Sequence, residues 1–275
     1  MSQVDLHLHS VASDGTTSPT EVVRHAASAG VSGISLTDHD TFDGLDEAAE
    51  EARRLGLSFL PGVEISANEP NRSVHILAYG MDREDRDLAD FLSALTSDRV
   101  RRAREMVKRF RALGVRLDYE AVERECGQAA PTRAHVARAL LAEGLAPDQN
   151  VVFRRWLGRG RPAFVEKMPT PPATVFERVH AAGGVAILAH PGRTHGEREI
   201  VRWRAEGLDG VEVLHPLNRN NVRARLQSLS RRLGLLRSGG SDWHGPSGYQ
   251  AAIGSQRVPE AWMETIRGRV ADPGF

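Results

Sequence analysis

The imidazoles and carboxylates of this chain sit at spacings that suit a metal centre. The first stretch is Val4-Asp5-Leu6-His7-Leu8-His9-Ser10, followed by Ser13-Asp14-Gly15. Apolar and polar residues alternate here, and a strand projects alternate side chains to opposite faces. His7 and His9 therefore share a face and can reach one cation together. Asp242 and His244 repeat that spacing in Gly239-Gly240-Ser241-Asp242-Trp243-His244-Gly245. Between them, His39, Glu64, His75 and His190 each go with a short apolar run, and Asp14 follows the first. A single histidine at a strand end is usually a buried, hydrogen-bonded side chain. A whole series, gathered at one mouth with carboxylates, would repel or go unsatisfied without cations. The chemistry implied is a centre of more than one metal ion that activates water.

Such a centre needs elements that bring distant residues to one place. Ser18-Pro19-Thr20-Glu21 reads as a helix start, with Ser18 as cap, Pro19 in the first turn and Glu21 closing a capping box. That helix runs to Ala29 and stops at Gly30. Strand Gly33-Ile34-Ser35-Leu36 then leads into polar residues, helix Asp46 to Leu55 follows, and strands Ser58 to Leu60 and Ser73 to Tyr79 come next. Strands alternating with helices, with polar residues at strand ends, predict a parallel α/β sheet or barrel whose site lies at the carboxyl ends. Between about Met81 and Lys167 the rhythm breaks. Only helices are predicted there: Asp87 to Leu113, Asp118 to Glu125, Thr132 to Glu143 and Pro147 to Leu157. Alternation resumes with helix Thr170 to Ala182, strand Val185 to Ala189, helix Glu197 to Glu206, strand Gly210 to Leu214, helix Asn221 to Leu233 and a closing helix Glu260 to Val270. No internal repeat is visible. Residues 1–80 and 168–275 are thus expected to form one α/β unit, and 81–167 an inserted helical subdomain covering its mouth. Arg99, Arg101, Arg102, Arg104, Lys108, Arg109 and Arg111 form a basic run on the long helix, read as a solvated face or a patch for RNA or phosphate.

Lys+Arg and Asp+Glu both number 36 in the 275 residues, so no global field attracts nucleic acid, and polyanion binding must be local. The single cysteine, Cys126, excludes an intrachain disulfide and fits a reducing compartment, with a structural role. No apolar run reaches membrane-spanning length. No signal peptide precedes His7, and the expected location is cytoplasmic.

Taken together, these stretches resemble the PHP (polymerase and histidinol phosphatase) superfamily of metal-dependent phosphoesterases. The matching pieces are Asp5-Leu6-His7-Leu8-His9-Ser10, Ser13-Asp14-Gly15, Thr37-Asp38-His39-Asp40, Gly62-Val63-Glu64-Ile65-Ser66, His75-Ile76-Leu77-Ala78-Tyr79-Gly80, Ala189-His190-Pro191-Gly192-Arg193 and Gly239 to Gly245. They span nearly the whole chain in the family's order. The resemblance implies a distorted (β/α)7 TIM-like barrel with two to three divalent ions of manganese, iron or zinc. By similarity, His7, His9, Glu64 and Asp242 hold the first ion, and Asp14, His39 and His244 the second. Glu64 bridges to a third, held also by His75 and His190. Mixed histidine and carboxylate ligands do not discriminate among these metals. Within the superfamily the chain is similar to small stand-alone enzymes acting on nucleoside 3′,5′-bisphosphates and short RNA 5′ ends, through Pro131-Thr132-Arg133-Ala134-His135 and Glu212-Val213-Leu214-His215-Pro216.

The expected partner is therefore a small phosphorylated substrate, a nucleotide or short oligonucleotide. No membrane and no obligatory protein partner is expected. The expected reaction is hydrolysis of a phosphate monoester by metal-activated water. Arg193 is the candidate for the charge on the phosphoryl group, and His215 for protonating the leaving oxygen or touching substrate. Thr132 and Arg133 at a helix start, with Lys167, are expected to hold a second phosphate. Asp5 and Asp38 are expected to orient ligating imidazoles, and Trp243 to pack behind the mouth. Histidinol phosphate is the competing substrate, 5′→3′ trimming of short RNA a second activity, and a non-catalytic metal-stabilised module the alternative class.

Overall fold

A computed structural model of the chain describes residues 2–70, 72–192, 195–246 and 251–270. In chain order come β1 (Gln3–Leu8), α1 (Pro19–Ser28), β2 (Gly33–Leu36), α2 (Leu45–Leu55), β3 (Ser58–Phe59), β4 (Gly62–Glu69) and β5 (Arg72–Tyr79). Helices follow: α3 (Arg86–Ala112), α4 (Tyr119–Cys126), α5 (Arg133–Ala142) and α6 (Gln149–Val152), which runs into a π-helical turn at Phe153–Leu157. Alternation returns with α7 (Pro172–Ala181), β6 (Val185–Leu188), α8 (Glu197–Glu206), β7 (Gly210–Leu214), α9 (Asn220–Leu233) and β8 (Leu236–Gly239), and then β9 (Val258–Pro259) and α10 (Glu260–Arg267). Local chemistry accounts for the boundaries. At α1 the Ser18 hydroxyl accepts from Glu21 N–H, the Glu21 carboxylate accepts from Ser18 N–H, and Pro19 opens the first turn. Helix α2 stops at Gly56, whose φ of 70° lies in the left-handed region.

The fold is mixed α/β. Its hydrogen-bonded ladders form a four-stranded sheet, ordered β3-β2-β1-β9, and a five-stranded sheet, ordered β4-β5-β6-β7-β8. The ladders do not close into one ring. Isolated parallel bridges nevertheless join the sheets at both seams, Leu8 with Trp243 and His39 with Glu64. Gly240 permits the close approach at the first seam, since a Cβ there would lie 2.4 Å from the His7 Cβ. The all-parallel expectation needs correction at β5, which runs antiparallel to both β4 and β6. Only residues 70 and 71 separate β4 from β5, and so short a connection can only reverse the chain.

The largest apolar cluster lies around the five-stranded sheet and α7, with Tyr79, Phe176, Ile187 and Trp203 fully or almost fully buried. A second lies between β1, β2, α1 and α2 and includes Trp243. A separate third cluster, from Ala103 to Val165, is built around Phe110, Val122, Leu140 and Leu157. The basic run on α3 is not a free face. Arg99 pairs with buried Asp40, Arg101 with Asp98, Lys108 and Arg109 with Glu105, and Arg111 with Asp118. Arg102 donates to the Val165 carbonyl, and Arg104 lies over the Tyr119 ring. Among the described residues no helix is long and apolar enough to cross a membrane.

Candidate metal centre

Glu64, in the buried half of β4, is the hub. Its Oε2 lies 3.2 Å from His7 Nε2, His9 Nε2 and His39 Nδ1. Its Oε1 lies 2.8 Å from His75 Nδ1 and 2.9 Å from His190 Nε2. Asp242 closes the β8 side, with Oδ1 3.4 Å from His7 Nε2 and 3.2 Å from His9 Nε2. Asp14 reaches in from the loop after β1, 3.1 Å from His244 Nε2 and 4.0 Å from His39 Nε2. The residues singled out in the sequence as ligands therefore converge on one place.

Among the described residues four groupings place ligand atoms within 4.8 Å of one another: His7, His9, Glu64 and Asp242; His9, Asp14, His39 and His244; His39, Glu64 and His75; and His7, Glu212 and His215. The fit to cations rests on what these atoms lack. His9 Nε2, Asp14 Oδ1, His39 Nδ1 and Asp242 Oδ1 are buried and, although each lies 3.1–3.2 Å from an imidazole or carboxylate atom, none makes an aligned hydrogen bond among the described residues. Buried polar atoms are rarely left so. Four such orphans on one set of imidazole and carboxylate donors suit divalent metal ions.

The backbone is held in strained form around this set. His190, Asp242 and Asp40 have φ of 26°, 54° and 57°, a region that residues with a Cβ seldom adopt. Each amide is fixed: His190 N–H donates to Glu212 Oε2 at 2.5 Å, Asp242 N–H to the His7 carbonyl at 2.9 Å, and Asp40 N–H to the Glu64 carbonyl at 3.1 Å. His190 and Asp242 face the metal-donor set, while Asp40 instead accepts from Ser66 N–H and Arg99.

Imidazole orientation differs from the expectation at two places. Asp5 accepts from the Ser241 and Gly254 amides, both at 2.9 Å, and Asp38 accepts from Ser10 N–H, Ser10 Oγ and Ser13 Oγ. Neither touches an imidazole; both tie loops. The orienting carboxylate is Glu212, fully buried in β7, whose Oε1 lies 2.9 Å from His7 Nδ1. Its signal was an acid inside an apolar strand, which cannot be buried unpartnered. His215, 1% exposed, accepts the Leu217 N–H on Nδ1 at 3.1 Å, so its proton sits on Nε2, 3.3 Å from Asp242 Oδ2.

Electrostatics divides the histidines. Burial pushes His39 down to about 3 and His75 down to about 4. At His7, His9, His190 and His244 burial acts the same way, but facing carboxylates outweigh it and raise the pKa, that of His244 to about 10. Burial would raise Glu64, Asp14 and Asp242, yet the surrounding imidazoles hold all three well below the usual carboxylate range.

The residues expected to touch substrate fare differently. Arg193 lies outside the described residues. The Thr132 hydroxyl accepts from Ala134 and His135 N–H, so the amides expected to meet a phosphate are occupied by their own cap. Arg133 lies over the Phe153 and Phe164 rings. Lys167 donates to Ser73 Oγ at 2.9 Å, on the strand that carries His75. Its pKa is pushed down to about 7 by burial and by the charges of Arg99, Arg102 and Arg133. Arg102, read in the sequence only as one of a basic run on a solvated face or phosphate patch, is buried, and among the described residues its Nη2 lacks a hydrogen-bond partner. Asp40, Arg99, Arg102 and Lys167 line one small cavity. On the other side of Asp40, a cavity of about 490 Å³ opens beside His39, and one of about 590 Å³ adjoins it, sharing Ala12, Asp43, Gln128 and Ala129.

Comparison with known proteins agrees with this geometry. Residues 5–157 match the PHP domain family. A 5′-3′ exoribonuclease of Haemophilus influenzae is 36% identical over 250 residues, covering 89% of this chain and 91% of the relative. A 3′,5′-nucleoside bisphosphate phosphatase of Chromobacterium violaceum is 36% identical over 252 residues, 90% of this chain and 88% of the relative. The solved structure of a candidate metal-dependent phosphoesterase from Bifidobacterium adolescentis superposes with a TM-score of 0.92 at 30% identity, covering 98% of this chain and 97% of that one. With a family match over more than half its length and such relatives over nearly all of it, this chain belongs to the PHP domain family of metal-dependent phosphoesterases.

Proposed function

We propose that this chain removes a phosphate from nucleoside 3′,5′-bisphosphates, with two or three divalent ions held by His7, His9, Asp14, His39, Glu64, His75, His190, Asp242 and His244. The observation that carries the metal assignment is the set of orphaned buried donors around Glu64. Bound manganese, iron or zinc supplies Lewis acidity toward the phosphoryl oxygens and acidifies water. The protein's own part is to fix the donors and manage protons. Glu212 holds His7 in the tautomer that turns Nε2 toward the centre. His215 carries its proton on Nε2 beside Asp242, where it can be passed to a leaving oxygen. Arg193, two residues beyond Pro191 in sequence, remains our choice for the charge on the reacting phosphoryl group.

A second phosphate suits the cation cluster. Arg99, Arg102, Arg133 and Lys167 press on one another's charges, and Arg102 has an unmet donor. The cavity between them, about 10 Å³, is too small for a phosphate, so an anion at its rim is what would relieve both conditions. This favours a bisphosphate over histidinol phosphate, whose far end is a cationic amine that these guanidiniums repel. We also read β1, β2 and β4 to β8 as a distorted seven-stranded TIM-like barrel closed through the two isolated bridges, with residues 81–167 as its helical cap. Trimming of short RNA 5′ ends is a second reading. The pair of adjoining cavities favours it, because they leave room for nucleotides beyond the first. The test is phosphate release by the manganese-loaded chain from adenosine 3′,5′-bisphosphate, AMP and histidinol phosphate. The bisphosphate should be turned over with the highest kcat/KM; turnover of histidinol phosphate alone would refute the nucleotide assignment.

A further inference from the structure

The cleft beside His39 has a chemistry unlike the rest of the mouth. It lies between the loop after β2, one face of α3 and the turn joining α4 to α5. Its volume of about 490 Å³ falls among small-molecule clefts, roughly 300–1,000 Å³. On α3 the lining residues recur every third or fourth position, as Leu92, Thr96 and Val100, and none is charged; the titratable lining, His39, Asp40 and Asp43, is confined to the loop after β2, where Asp40 is paired with Arg99. The same helix turns Arg99 and Arg102 to the cavity that holds Lys167. It thus sorts cations to one side of the centre and a neutral wall to the other. Opposite that wall stands Phe42, half-buried, with part of its ring against the core and part open to the cleft. Exposed Gln128 sits at the rim with an amide that can both donate and accept.

Resting on the nucleotide reading above, we propose that this cleft seats the nucleobase of the substrate. The base would lie against Phe42, between it and the α3 face, with its polar edge toward Gln128. Three features fit. A base is neutral and needs no counter-charge. Aromatic rings and apolar walls are the usual platform for a splayed base, and the amide suits its hydrogen-bonding edge. The cleft also begins at His39, so a sugar bearing the scissile phosphate at the metal centre can enter it. One phosphate at the metals, the other at the cation cluster and the base against the uncharged α3 wall of the cleft would together select a nucleoside bisphosphate.

The test compares 2′-deoxyadenosine 3′,5′-bisphosphate with its base-free analogue, 1,2-dideoxyribose 3,5-bisphosphate, using the manganese-loaded full chain. The wild-type kcat/KM should favour the base-bearing compound by about ten-fold or more, the scale of one stacked base. Phe42→Ala should cut that ratio at least five-fold. So should Ser97→Trp, which fills the cleft from an exposed helix position and does not depend on Phe42 packing. A wild-type ratio near one, or a ratio unchanged in Ser97→Trp, would overturn the base site while leaving the bisphosphatase reading intact. Failure of wild type to cleave either compound would remove the nucleotide reading and the base site with it.

Discussion

Glu212 has no access to solvent, and both of its oxygens are committed to the histidines of the centre. Orienting carboxylates of this kind change metal affinity by roughly 10–100-fold when altered. Glu212→Gln should therefore weaken manganese binding by about that factor in competition with a chromophoric chelator, with the fold retained; unaltered affinity would deny Glu212 this role. A second outcome follows from the raised pKa values of His7, His9, His190 and His244. A metal takes neutral imidazole, so these protons must leave when a cation enters. Metal affinity should rise from pH 6 to pH 9, and calorimetry in buffers of different ionisation enthalpy should show proton release on binding. Affinity independent of pH would mean the imidazoles are already neutral. The converging side chains could be picked out in the sequence because each polar residue ends or alternates with an apolar run. Neither Asp5 nor Asp38 touches the imidazole beside it in sequence, because adjacency does not set facing: Asp5 is turned to backbone amides, and Asp38 reaches His9 only through the Ser13 hydroxyl, 3.5 Å from His9 Nδ1.

Among the elements, α3 shows what periodicity conveys and what it hides. Its apolar positions and its length are evident from the pattern, within a residue at each end. Its arginines look alike in sequence, yet Arg99 reaches the buried Asp40 of the loop after β2, and Arg102 is buried against the Val165 carbonyl. Charge density alone does not say which guanidinium finds a buried partner. Breaking a buried pair from one side costs roughly 3–5 kcal/mol, because the other charge is left uncompensated. Arg99→Met should lower unfolding stability by about that amount in urea, and Asp40→Asn on the same background should recover part of it. A loss near zero would mean that the Arg99 and Asp40 contact contributes little. Strand β5 teaches a related lesson: its apolar character was plain, but its direction depends on the two-residue connection before it, which alternation does not encode.

At the scale of the whole molecule, equal numbers of basic and acidic residues leave no net field, so selection of a phosphorylated substrate depends on local arrangement. The strand ends gather donors whose charges conflict unless cations sit among them, and α3 contributes the Arg99 and Arg102 guanidiniums beside them. Strand order and the two seam bridges bring the ends of the chain together, since Leu8 pairs with Trp243 and the His7 carbonyl accepts the Asp242 amide. No local window of sequence contains that closure. The most direct measurement is a titration of the chelator-stripped chain with manganese, following phosphate release from adenosine 3′,5′-bisphosphate and metal content together. Activity should be absent without metal, appear on addition and saturate only when two to three equivalents are bound. Full activity in the stripped chain, or a chain that binds no manganese, iron or zinc at all, would contradict the account.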